Sequence, residues 1–240
     1  SYGEVVAGLP ASLFEADIDR VTQGQDERLL DFSQLRQLTR SFLGLYETHA
    51  GRPFPQDARE QLSGAIEAVF ASWNADKAVQ YRRIHQIDHD MGTAVILQRM
   101  VFGNTGGHSG AGVGFTRDPG TGEPRLWVDF LANAQGEDVV SGRRNAHGHA
   151  TLAAVAPDAW KQLQASAQAL EQHFQDMEDF EFTVQDGVLH MLQTRSGKRT
   201  PLAAARIALD LLDEGLIDSA EALHRTQAID AAALGTVRLV

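Results

Sequence analysis

The 240-residue chain contains no cysteine. Disulfides, thiolate nucleophiles and cysteine-bound zinc are therefore excluded. It has no long uninterrupted apolar run, so nothing reads as a membrane span, and the opening SYGEVVAGLP lacks the plan of a signal peptide. A cationic surplus is also missing: 21 Lys and Arg stand against 32 Asp and Glu, a formal charge of -11. That balance disfavours a nucleic-acid partner, and an anionic ligand would need a local basic patch or a metal ion. Neither an internal repeat nor a low-complexity linker occurs. What remains is an ordinary composition, 43% hydrophobic and 22% charged, long enough for one large domain or two small ones. The cytoplasm is the expected location. A chain that opens on Ser1 is expected to be a processed protein or a piece of something longer.

The first part reads as helices. In DFSQLRQLTRSFLGLYETHAG, residues Phe32, Leu35, Leu38, Phe42, Leu43 and Tyr46 recur at helical spacing and the run stops at Gly51. In the next run Leu62, Ile66, Val69, Phe70 and Trp73 form one stripe, behind a capping-box pattern of Asp57 and Glu60. Both stripes are expected to be packing faces. From Thr93 the period changes to that of strands: TAVILQRMVFG, GVGFTR, RLWVDFL, FEFTVQ and VLHMLQT, the first three separated by glycine-rich or Pro-Gly turns. A helix over residues 157–175 interrupts them, and Pro201 opens a further Ala/Leu-rich helix. The expected fold class is α+β, a mostly antiparallel sheet with flanking helices. Its expected parts are a helical subdomain over 1–90, a sheet subdomain over 91–200 and C-terminal helices over 201–240.

The hairpin DFEFTVQDGVLHMLQTR, residues 179–195, carries the most suggestive chemistry. A two-residue turn at Asp186-Gly187 would send Glu181 and Gln193 to opposite faces. A three-residue loop over Gln185-Asp186-Gly187 would pair Val184 with Val188, Asp179 with Gln193 and Glu181 with Met191. Asp179, Glu181, Gln193 and Arg195 then share one face, and Phe180, Phe182, Val184, Val188 and Leu192 the other, with His190 among the apolar residues. The second register gives the cleaner apolar face and is preferred on that ground. Two carboxylates and an amide oxygen are hard ligands suited to Mg²⁺, and Arg195 could meet a phosphate. A solvated strand face with cross-strand pairs accounts for the same residues.

Other segments are less specific. GNTGGHSGAGVG, residues 103–114, could bring backbone amides to phosphates or could be a long turn. SGKRT at 196–200 is no P-loop, because Leu192 stands where the first glycine is needed. TGGHSG superficially resembles a phosphohistidine loop, but no Ala-rich helix follows His108. Glu137 or Asp138 in NAQGEDVVSG could support the charged site or belong to a polar turn. His147 and His149 in HGHA have His-x-His spacing without a further ligand nearby in sequence. Arg82 and Arg83 could contact an anion or cover a helix face.

Several ordered blocks, FPQDAREQLSGAIEAVFASWNADKAVQYRRIHQI, GTAVILQRMVFGN, SGAGVGFTRDPGTGE, NAQGEDVVSG and DFEFTVQDGVLHMLQTRSGKRT, together resemble the nucleotide-binding region of the pyruvate, phosphate dikinase family. The resemblance runs from Gly3 to about Leu223. It implies an ATP-grasp-like fold, ATP and Mg²⁺ as ligands, phosphorylation of a histidine on another domain, and passage of the phosphoryl group to pyruvate. It assigns Glu181 and Gln193 to the metal, Asp179 and residues Gln98, Arg99, Met100 and Val101 to the nucleotide, and Arg195 and Glu137 to catalysis. By the same resemblance, a catalytic Lys, an Arg and a phosphate loop precede this region, and a phosphohistidine domain and a barrel lie outside it. The isolated chain is expected to have little or no activity and to meet those domains as partners. The alternative is an inactive remnant that serves as a binding or regulatory module. Gly107-His108 replaces two acidic residues usual in the family's GDDSG segment, and RRNAHGH replaces the usual IRTPQ.

Overall fold

A computed structural model describes residues 2–24, 30–140 and 148–235. The chain divides into two compact units, residues 1–98 and 99–240.

The first unit is helical: α1 (Tyr2–Val5), α2 (Ala11–Thr22), α3 (Phe32–Ala50), α4 (Ala58–Ser72) and α5 (Asp76–Ile84). Their limits follow from capping chemistry. Asp31 accepts from the Gln34 amide while the Gln34 side chain accepts from Asp31, closing a full capping box on α3, and Gly51 ends that helix in the left-handed region. At α4, Asp57 accepts from the amides of Arg59 and Glu60. Tyr46 is buried and is met by the rings of Tyr2 and Phe54. The two apolar stripes are less covered than their periodicity suggests. Phe32 is 74% exposed, and Leu35, Leu62 and Phe70 are exposed as well. Helical spacing places such residues on one side but does not supply the element that covers them.

The second unit carries a four-stranded antiparallel sheet: β1 (Gly110–Phe115), β2 (Trp127–Ala132), β3 (Glu178–Gln185) and β4 (Val188–Ser196), in the order β2-β1-β3-β4. Its helices are α6 (Gly136–Val140), α7 (His149–Val155), α8 (Pro157–Phe174), α9 (Pro201–Asp213) and α10 (Ser219–Thr226). One sheet face packs on α8 through Val128, Phe130, Phe180, Phe182 and Val184. On that face β1 presents only glycine. Gly110, Gly112 and Gly114 stand opposite the pairs Ala132/Val184, Phe130/Phe182 and Val128/Phe180. A Cβ on Gly110 would lie 2.2 Å from the Phe130 ring, and one on Gly112 would lie 2.4 Å from the Phe182 ring. The alternating glycines therefore leave room for aromatic rings from both neighbouring strands. The second half of the glycine-rich segment is thus a packed strand rather than a phosphate-contacting loop.

Residues 93–103, read from sequence as a strand, join no ladder. Ile96 is 86% exposed, Leu97 65% and Met100 64%. Strand propensity reports fit to a pleated, half-buried surface, and this segment has no described neighbour to pair with.

Behind β1, Arg117 is only 1% exposed. It donates to Glu171 on α8 at 2.7 Å, to Glu214 just past α9 at 2.8 Å, and to Asp210 on α9 at 3.3 Å. Burial alone would weaken its hold on a proton, but the bonds to Glu171 and Glu214 outweigh it and push the guanidinium pKa higher. One cation thus ties the sheet to two helices.

Candidate functional site

The hairpin of β3 and β4 differs from the expected register in two compensating ways. Asp186 (φ 51°) and Gly187 (φ 81°) are both left-handed, which makes a two-residue turn of the primed type, and Val184 pairs with Leu189 rather than Val188. A bulge then intervenes: Phe182 pairs with Met191, but Glu181 pairs with Gln193, leaving Leu192 as the extra residue. Past the bulge Asp179 faces Arg195. The grouping of Asp179, Glu181, Gln193 and Arg195 on one face therefore arises from a tight turn plus a bulge, not from a three-residue loop. The apolar partners change accordingly. Leu189 and Met191 pack on the core, Val188 is 54% exposed, and His190 pairs with Thr183 on the other face.

Arg195 Nε donates to Asp179 Oδ2 at 2.8 Å. That bond is the main reason Arg195 holds its proton more tightly than an ordinary arginine, and its side chain is otherwise open to solvent. Glu181 and Gln193 face each other directly, and their side chains form no hydrogen bond or salt bridge with any described residue. The register also reveals a residue that the sequence did not single out. Asp129 on β2, Val113 on β1, Glu181 and Gln193 form one row across all four strands. Asp129 is partly buried and likewise has no hydrogen bond or salt bridge among the described residues. Only knowledge of the strand order could have placed it there, because RLWVDFL by itself gives no cross-strand partner. Among the described residues no three His, Asp or Glu side chains converge as a metal-binding group. A cation on this face would have to combine few protein ligands with ligand oxygens, as Mg²⁺ commonly does.

Next to the row, Glu178 is 4% exposed. Burial is the largest influence on its carboxyl and raises its pKa; the Thr194 hydroxyl, donating at 2.8 Å, opposes this, and the charge of Asp176 adds to it. A carboxyl raised in the folded state contributes stability fully only below its unfolded pKa, and loses it as pH rises through the folded value. Glu178→Gln keeps an acceptor for Thr194 without the buried charge. It should raise the melting temperature, by more at pH 8 than at pH 5, as thermal scans across that range would show; an equal shift at both values would contradict the burial argument.

The remaining sequence candidates fall as follows. Glu137 is exposed in the first turn of α6, a helix that lies against β1, β2 and β3. Asp138 instead accepts from the Gln135 amide at 2.9 Å. Gln98 closes the first unit, and Arg99, Met100 and Val101 open the second as extended chain without a ladder partner. His108 donates Nδ1–H to the Val155 carbonyl at 3.0 Å, joining the glycine-rich segment to the end of α7. His149 stacks on Trp160, while His147 lies outside the described residues. Arg82 is neither an anion contact nor a surface cover. It is buried over the Trp73 ring at 3.8 Å and donates to the Trp73 carbonyl and to His89 Nδ1.

Residues 36–149 match the family described as pyruvate phosphate dikinase, AMP/ATP-binding domain. Among individual proteins, it is 46% identical over 231 residues to pyruvate, phosphate dikinase of Clostridium symbiosum, covering 95% of this chain and 26% of that protein. It is 45% identical to the chloroplastic enzyme of Flaveria trinervia over 94% of this chain and 24% of the relative, and 43% identical to pyruvate, phosphate dikinase 2 of Zea mays. The chain thus spans about a quarter of the length of these relatives. No helix among the described residues is long and apolar enough to cross a membrane.

Proposed function

We propose that the chain is the MgATP-binding part of a pyruvate, phosphate dikinase-like phosphotransferase, with an ATP-grasp-like architecture. The observation that carries this reading is the direct opposition of Glu181 and Gln193, two hard-oxygen side chains with no hydrogen bond or salt bridge among the described residues, beside the Asp179–Arg195 pair. Those residues suit Mg²⁺, with Glu181 and Gln193 as ligands and Asp179 in support. A bound Mg²⁺ would supply charge neutralisation for the phosphates. Asp179 fixes Arg195 by its Nε and leaves the far guanidinium nitrogens to meet phosphate oxygens, where they would stabilise charge developing in the transition state. The exposed Glu137 carboxylate on α6 would support the same charged site, and Gln98–Val101 would run beside the adenine. The wider reaction, phosphorylation of a histidine on another domain followed by transfer to pyruvate, needs parts of the relatives beyond the quarter this chain spans. Those parts, or a chain that carries them, are the proposed partners.

A second reading, a binding or regulatory module without turnover, is favoured by His108. The family's acidic residues are replaced at Gly107-His108, and the histidine is engaged with the Val155 carbonyl. Both readings require the nucleotide. Calorimetric titration with MgATP should give micromolar binding, weakened at least about tenfold, or 1.4 kcal/mol, by Glu181→Ala. Undiminished binding in that variant would remove Glu181 from the metal site.

A further inference from the structure

The extended segment that opens the second unit is free along one stretch and clamped at the next. The backbone N–H and C=O groups of Arg99, Met100 and Val101 bond to no described residue. The two amides that follow are each held by a glutamine side chain. Phe102 N–H donates to Gln185 Oε1 at 2.8 Å, and Gly103 N–H donates to Gln135 Oε1 at 3.5 Å. Gln185 is the last residue of β3, and Gln135 lies between β2 and α6. Gln135 is itself oriented: its Nε2 donates to Asn104 Oδ1 at 3.2 Å, and its backbone amide donates to Asp138. The Gly103 carbonyl accepts from the Ala134 amide at 3.0 Å. Gly103 also needs to be glycine, since a Cβ there would lie 2.2 Å from the Ala134 carbonyl oxygen.

The turn after Gln185 is fastened to the same glycine-rich loop. Thr105 donates its hydroxyl to Asp186 at 3.0 Å, the Asp186 amide donates to the Ser109 hydroxyl at 2.9 Å, and the Gly187 amide donates to the His108 carbonyl at 2.9 Å. β3 therefore carries Glu181 in its middle and grips the extended segment at its end.

We propose that Gln185, seconded by Gln135, is a positioning residue that sets the free peptide edge of Arg99–Val101 at a fixed offset from Glu181 and Gln193, and so governs which nucleobase the site accepts. This rests on the nucleotide reading given above. A fixed peptide edge offers one N–H donor and one C=O acceptor in a set order. Adenine presents a ring-nitrogen acceptor beside an amino donor, whereas guanine presents a ring N–H donor beside a carbonyl acceptor. An edge placed for one base mispairs with the other, and leaving such groups unpaired is what gives polar sites their discrimination. A loose edge can shift to suit either base. Gln185 touches neither base nor phosphate in this scheme; it acts through the Phe102 amide.

The test compares MgATP and MgGTP binding by calorimetry for the full chain and two variants. Gln185→Leu removes the acceptor for Phe102 and should reduce the preference for ATP over GTP about tenfold. Gln185→Glu keeps a carbonyl-type acceptor and should restore most of that preference. An unchanged preference in Gln185→Leu, an equal loss of both nucleotides, or a wild-type chain with no preference would each overturn the positioning role while leaving the nucleotide site in place. Failure of the wild-type chain to bind MgATP would overturn the nucleotide reading and this inference with it. Amide hydrogen exchange on the wild-type chain gives a check independent of variant folding. Phe102 and Gly103 should exchange slowly and Arg99–Val101 fast, the latter slowing when MgATP is added; fast exchange at Phe102 would remove the clamp.

Discussion

Replacing Arg117 with methionine should destabilise the second unit by about 3–5 kcal/mol, the range for breaking a buried ion pair by removing one partner. Methionine fills much of the volume, so the loss is mainly one of charge. Glu171, Asp210 and Glu214 would be left near one another without the guanidinium that all three now share. The three carboxylates come from α8, from α9 and from the residue just after it, so the loss should act on the packing of both helices against the sheet. Arg117→Lys should recover only part of the stability, because an ammonium is a single point charge and cannot fork toward three partners. Urea denaturation followed by tryptophan fluorescence is the direct measurement, since Trp127 and Trp160 both lie in this unit. A midpoint for Arg117→Met within error of the wild type would mean that the network contributes nothing. Removing the carboxylates together with the arginine should be far milder than removing the arginine alone, since no uncompensated charge then remains.

The second large effect concerns β1. Gly112→Ala should cost about 3 kcal/mol, the upper part of the usual overpacking range. The added methyl would lie 2.4 Å from Phe182 Cζ and 2.7 Å from the Asp129 carbonyl oxygen. The ring can be made smaller but the backbone oxygen cannot be moved cheaply. Gly112→Ala with Phe182→Leu should therefore recover part of the loss and no more. The coupling between the two sites can be read from a double-mutant cycle by chemical denaturation. Additive effects would show that the glycine is not there to accommodate the ring.

These two residues also mark where the sequence was informative and where it was not. Helices announced themselves locally: Pro157 in the first turn of α8, and Asp31 and Gln34 closing the cap of α3, act within a few residues of their own position. The glycine run was ambiguous: GVGFTR reads as a strand, as β1 is, while residues 103–114 taken together read as a loop or turn, and the rings of Phe130, Phe180 and Phe182 lying across glycines 110, 112 and 114 are what decide it. Residues 93–103 have the composition of a strand, but a strand is a relation between two segments and the second one is not present among the described residues. The site was legible as a set of residue types, with Asp179, Glu181, Gln193 and Arg195 correctly gathered on one face. Its construction was not legible. The Asp-Gly turn was visible, but nothing in VLHMLQT distinguishes Leu192 as the residue that falls out of the ladder. Asp129 and the clamping glutamines depend on contacts between distant segments, which alternation along a single strand cannot report.

The bulge at Leu192 has a consequence for how β4 tolerates insertion and deletion. Met191 faces the core opposite Phe182, and Gln193, two positions later, faces the opposite side across from Glu181. The strand thus reads in one frame up to Met191 and in a shifted frame from Gln193 onward, with Leu192 as the spare letter between them. Losing that letter would join the two frames flush, with Gln193 still across from Glu181 and Arg195 still across from Asp179. Losing Met191 or Gln193 instead would let Leu192 take the vacated place, keeping the frame but setting leucine opposite Phe182 or opposite Glu181. In β4 a one-residue loss at the bulge keeps the frame, and among these three positions only the loss of Leu192 also keeps every cross-strand pair.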